Sequence, residues 1–136
     1  HEGIICSSAC LAGEIPSKIL QGDIEGAKQS ALWFKNLFGE DYYLEIQNNG
    51  VKEQVMVNQK LIQMARELDI PLLATNDSHY LKKEDAYNHE VLLCIQTGKR
   101  MSDPDRMKFE SDELYIKSPE EMMEYSKNCR QMQCRI

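Results

Sequence analysis

The chain has 136 residues, 42% of them hydrophobic and 28% charged, which fits one globular domain. Its formal charge of −6 comes with no basic stripe, only the pairs Lys82-Lys83 and Lys99-Arg100, so direct gripping of phosphate backbones by this surface is disfavoured. A run of about 18 apolar residues, the minimum for a membrane-spanning helix, is missing, and the start at His1 has neither the basic nor the apolar region of a secretory signal.

Ile4-Ile5-Cys6 is a short apolar run bounded by Gly3 and Ser7-Ser8 and reads as a strand. A short helix is expected over 12–21, with Pro16 tolerated near its first turn and Gly22 ending it. Asp23 suits an N-cap. Ile24, Ala27, Ala31, Phe34 and Phe38 then make one helical stripe that closes at Gly39. The aromatic and β-branched run over 42–46 reads as a second strand, and Asn48-Asn49-Gly50 as a turn. The longest helix is predicted over 51–68, with Val57, Leu61, Met64 and Leu68 on one face. Asp69 ends it. A third strand follows over 71–75, where Pro71 fits only the first position.

A further helix over 84–97 places Tyr87, Val91, Cys94 and Ile95 on one face, with Gly98 as its C-cap. The polar stretch 99–112 reads as loop, and Leu114-Tyr115-Ile116 as a short strand. Ser118-Pro119-Glu120-Glu121 supplies an N-cap, a proline at N1 and a glutamate at N3, a capping box. Strands alternating with amphipathic helices predict an α/β fold of parallel βα units. Three or four strands are too few to close a barrel, which takes about eight. An open sheet and part of a barrel both fit.

The candidate chemistry lies in Asn76-Asp77-Ser78-His79, just past the third strand. Residues i and i+2 of an extended segment point the same way. Asp77 and His79 can therefore share one metal ion or form an acid–base pair. Sites of parallel α/β folds gather at the C-terminal ends of strands. The plainer alternative is a loop in which Asn76 or Asp77 makes an Asx-turn and His79 packs on Tyr80. Cys10 follows the first strand and shares that edge if the strands are parallel. A thiolate there can join a zinc-like site, although a lone cysteine also serves as a small buried hydrophobe. Glu45 is a carboxylate within an apolar strand, which calls for a partner or a solvent-facing position. Glu14 suits a helix cap or a pocket wall. His89 reads as an ordinary surface or packing residue, and His1 tells little. Gln96-Thr97-Gly98-Lys99 lacks the first glycine and preceding strand of a phosphate loop, and reads as a helix end with Lys99 complementing its dipole.

The five cysteines (Cys6, Cys10, Cys94, Cys129 and Cys134) form no Cys-x-x-Cys pair. Zinc-ribbon and thioredoxin readings fail, and reduced thiols in a cytoplasmic setting are expected. With no initiator methionine, the chain reads as beginning inside a longer protein.

Several segments, taken in order, resemble the family of bacterial DNA polymerase III alpha subunits. They are Cys10-Leu11-Ala12-Gly13-Glu14-Ile15-Pro16, Gly22-Asp23, Tyr43-Leu44-Glu45-Ile46-Gln47, Ala74-Thr75-Asn76-Asp77-Ser78-His79-Tyr80, Leu92-Leu93-Cys94-Ile95-Gln96-Thr97-Gly98-Lys99 and Ser118-Pro119-Glu120-Glu121-Met122. The resemblance covers residues 1 to about 125 and weakens after Tyr125. It implies the C-terminal portion of a polymerase and histidinol phosphatase (PHP) domain over 1–98, and a post-PHP segment over 99–136. The implied fold is part of a distorted β/α barrel. The implied metal ligands are Cys10, Asp77 and His79, the last three of about nine, holding zinc, manganese or magnesium. The earlier ligands would precede His1.

In the family the cluster either supports metal-dependent 3′–5′ exonuclease activity or has decayed to a scaffold. The parent so implied is a DNA-directed DNA polymerase of replication. Its partners would be the rest of its own chain, the holoenzyme subunits, and DNA reached through the parent. Three ligands alone cannot hold a trinuclear cluster, so the isolated stretch is expected to lack hydrolysis, and to self-associate through its open strand edge. Two rival readings are a stand-alone PHP phosphoesterase and a non-catalytic scaffold. The tail 126–136 reads as a divergent, frame-shifted or expression-derived end with no assigned function.

Overall fold

Tyr42-Tyr43-Leu44-Glu45-Ile46-Gln47 forms the central strand of the molecule, because its alternation gives it one apolar and one polar face. The computed structural model describes residues 2–130, with side chains through residue 124 apart from His1. Strand β1 is Cys6–Ser7, β2 is Tyr42–Gln47 and β3 is Leu72–Thr75. They form one parallel sheet in the order β1-β2-β3, with Cys6 opposite Tyr42 and Leu44 opposite Leu72. The expected parallel α/β architecture is thus present, as part of a PHP-like barrel requires.

Helices α1 (Glu14–Leu20), α2 (Ile24–Phe38) and α3 (Lys52–Leu68) link and cover the strands. Tyr42, Leu44 and Ile46 point into a core built with Ile15, Ile19, Ala27, Ala31, Val57, Leu61 and Met64. Each fully buried side chain of Leu or Ile size contributes roughly 1.5–3 kcal/mol. The opposite face carries Tyr43 and Glu45, which are half-buried.

Local signals set most boundaries. The Asp23 carboxylate accepts from the Gly26 N–H at 2.9 Å and caps α2. Asp69 ends α3 in the left-handed region, and Gly98 does the same for α4 (Ala86–Thr97). At α5 (Pro119–Arg130) the Ser118 hydroxyl accepts from Glu121 N–H while the Glu121 carboxylate accepts from Ser118 N–H, the reciprocal box expected there. The helix backbone runs through 126–130, and residues 131–136, the rest of the anomalous tail, lie outside the described residues, as does His1.

Three expectations are corrected. The first strand is displaced to Cys6–Ser7, leaving Ile4 and Ile5 exposed. The helix expected over 84–97 begins as a 3-10 turn over Lys83–Asp85. Its predicted apolar face is also not covered: Cys94 is buried, but Tyr87 and Ile95 are exposed. Periodicity reports that a helix has an apolar side, not that the same stretch of chain supplies its cover.

Candidate functional site

Parallel pairing sends all three strands toward one edge, so the segments after Ser7, Gln47 and Thr75 emerge side by side. Cys10 stands three residues past β1, and Asp77 two residues past β3. β2 lies between them, which separates β1 from β3 by two strand spacings, roughly 10 Å. Among the described residues, Cys10 does not join Asp77 and His79 in a group that could hold one ion.

Asp77 and His79 do converge. Asp77 Oδ2 lies 3.6 Å from His79 Nε2, and each side chain is about one-third exposed. The route differs from a simple pleat. Asp77 has φ 53°, in the left-handed region, so the turn rather than strand alternation brings the pair together. Aspartate tolerates this region better than most residues, and such backbones concentrate at functional loops. Ala9, beside Cys10, has φ 61°. Alanine has no such tolerance, and the loop after β1 must be held by its surroundings.

The imidazole of His79 sits within rings. Phe109 lies 4.8 Å from it and His89 5.4 Å, centroid to centroid. His89 also packs against Tyr80 and Phe109. Burial, and then the neighbouring His79, hold the His89 imidazole below its ordinary pKa. His89 is thus a packing residue, as its mid-helix position suggested, but it packs on the candidate site. Phe109, within the stretch read only as loop, was missed. Its signal was a lone aromatic in a polar run.

Glu45 occupies the middle of the edge. Its carboxylate accepts from the Ser7 hydroxyl of β1, the Thr75 hydroxyl of β3 and the Gln47 side-chain amide at 3.0 Å. One acidic group thus ties three strands together, which resolves its discomfort in an apolar strand. From Gln47 the network continues inward. The Asn49 amide donates to Gln47 Oε1, and Asn58 and Gln54 of α3 are buried and bonded to Gln47 or each other. Glu14 belongs to neither site nor cap. It accepts from Lys18 and Ser30, linking α1 to α2, and these bonds hold its carboxyl below the usual range.

A divalent ion suits the donor chemistry of Asp77 and His79, a carboxylate oxygen and an imidazole nitrogen 3.6 Å apart. Among the described residues, no three His, Cys, Asp or Glu side chains come close enough to hold an ion together. Asp77 and His79 are thus two possible donors brought together, without a third among the described residues. No helix among the described residues is long and apolar enough to cross a membrane.

Comparison with known proteins adds an independent line. Residues 1–49 match the PHP domain model. The chain is 52% identical over 123 residues to DNA polymerase III subunit alpha of Borreliella burgdorferi, covering 90% of this chain and 11% of that protein. It is 45% identical over 133 residues to the Campylobacter jejuni subunit, again covering 90% and 11%. With the Deinococcus radiodurans subunit it shares 47% over 122 residues, which is 90% of this chain and 9% of that one. The chain spans about a tenth of the length of these relatives. It belongs to the DNA polymerase III alpha family, as a segment that includes PHP-domain sequence.

Proposed function

We propose that this chain is part of a replicative, DNA-directed DNA polymerase, and that its 1–98 portion completes a PHP metal site in the parent. Residues 99–136 are then the segment that follows the PHP domain. The observation that carries the reading is the 3.6 Å approach of Asp77 and His79 at the C-terminal edge of a parallel sheet. Asp77 and His79 would hold one divalent cation, zinc, manganese or magnesium, with Cys10 contributing to the wider cluster from the end of β1. The ligands that the family resemblance places ahead of this stretch would complete the cluster.

A divalent ion at that point supplies a more acidic bound water and positive charge beside a phosphate. The chain's own residues do the positioning. Asp77 fixes the side of the imidazole that faces the ion, and Phe109 and His89 restrict the ring's rotation. Partial exposure of both ligands leaves a path for a phosphodiester. The reaction supported is 3′–5′ hydrolysis of DNA in the parent, within a cytoplasmic replication assembly. DNA would be held by other parts of that protein, since this surface is acidic.

A second reading, a non-catalytic scaffold, draws on the failure of the described residues to bring three ligands together. The stand-alone phosphoesterase is disfavoured, because the relatives named above are polymerase subunits. The full-length parent carrying Asp77→Ala with His79→Ala tests the choice. Loss of 3′–5′ exonuclease activity with polymerisation kept supports the metal-site reading. Unchanged exonuclease activity sinks it in favour of the scaffold.

A further inference from the structure

The segment 76–80 has almost no regular structure of its own, yet the backbone of His79 and Tyr80 is bonded to residues more than thirty positions later. His79 N–H and Tyr80 N–H both donate to the Leu114 carbonyl, at 2.7 and 3.3 Å. Ile116 N–H donates back to the Tyr80 carbonyl at 3.1 Å, making a parallel bridge between Tyr80 and Tyr115. Leu114 N–H reaches the Tyr80 hydroxyl. The Ser78 hydroxyl donates to the Tyr115 carbonyl at 3.1 Å.

Asn76 makes the most specific contact. It is buried, and its side-chain nitrogen donates to both the Glu113 carbonyl at 2.8 Å and the Tyr115 carbonyl at 2.7 Å. Carbonyls two residues apart on an extended strand face the same way, so one amide can hold both and fix the register. Its own oxygen has no partner among the described residues.

We propose that 113–116 is a strap that sets the geometry of Asp77 and His79, with Asn76 as the positioning residue that locks it. The proposal rests on the metal-site reading above and extends it to a link with α5. The strap is anchored at both ends. Leu114 is 1% exposed, and Lys83 and Lys117 both pair with Glu113. The Tyr115 hydroxyl donates to Glu121 in the first turn of α5 at 2.7 Å. A shift of α5 is thereby carried through Tyr115 to the backbone that presents His79. Asn76 touches no reacting atom in this account and acts only through the loop.

The test uses the full-length polymerase as wild type, Asn76→Ala and Ile116→Pro. The second variant removes the N–H that bonds to Tyr80 and alters a side chain that is 59% exposed. Hydrogen exchange is read on peptides covering 76–80 and on α3 as control, and Mn²⁺ affinity is read by calorimetry. The strap requires at least tenfold faster exchange at 76–80 in both variants, an unchanged α3, and at least tenfold weaker Mn²⁺ binding. Unaltered exchange at 76–80 overturns it, as does faster exchange with undiminished Mn²⁺ affinity. If wild type takes up no Mn²⁺, the metal reading falls, and the exchange data alone uphold or overturn the strap.

Discussion

At the residue scale, buried polar atoms are the most informative feature. Tyr42 is fully buried, and its hydroxyl has no partner among the described residues. Burial pushes that phenol above its ordinary pKa. Tyr42→Phe removes an unsatisfied group at almost no loss of volume, so stability should hold or rise by about 1 kcal/mol in urea unfolding. A fall of that size would reveal a partner for the hydroxyl. Glu45→Ala should do the reverse. It strips the shared acceptor from Ser7, Thr75 and Gln47 and should cost about 1–3 kcal/mol in the same measurement. A carboxylate among apolar neighbours left two readings open for Glu45, a partner or a solvent-facing position, and the sheet supplies the partners. The identity of its partners was not legible, because hydroxyls on two other strands meet it only after the sheet has paired.

At the element scale, two loops govern the site. The loop after β1 is tight: a Cβ at Gly13 would sit 2.2 Å from the Ser8 carbonyl oxygen. Gly13→Ala should therefore destabilise the chain by roughly 1–3 kcal/mol and move the Cys10 loop, read by thermal melting and by thiol reactivity at Cys10. Wild-type stability would mean that the loop gives way freely. The strap after α4 has a pH signature. Lys117 and then Lys83 hold the Glu113 carboxyl below the usual range, with Asp112 also near Lys83. Its stabilisation is full above the ordinary glutamate value of about 4.3 and is lost as pH falls through the depressed folded value. Exchange at 113–117 should accelerate below about pH 4, and Glu113→Gln should flatten that dependence. Caps and turns here were readable in advance, at Asp23, Gly39, Asp69 and Ser118, because each acts within four residues. The strap was not, since its bonds span residues 76 and 115 and leave no local pattern.

At the scale of the whole molecule, the sheet is a piece of a larger architecture. β1 has no strand on its outer side among the described residues, and Ile4 and Ile5 beside it are 53% and 70% exposed. α4 adds Leu92 and Ile95, both exposed. Open edges and apolar patches of this kind invite pairing. The chain as given should associate with itself at micromolar concentration in sedimentation, and a strictly monomeric species would contradict this. Parallel α/β organisation and the position of Asp77 and His79 at the strand ends followed from pattern alone. The separation of Cys10 from them did not, because strand order is invisible until the sheet is assembled.

The central claim is that Asp77 and His79 hold a divalent ion in the parent polymerase. Metal content of the full-length protein, purified without chelator, reads it directly against the Asp77→Ala, His79→Ala double variant. Wild type should retain bound divalent metal, with at least one equivalent per chain lost in the variant. Equal metal content in the two proteins would contradict the account.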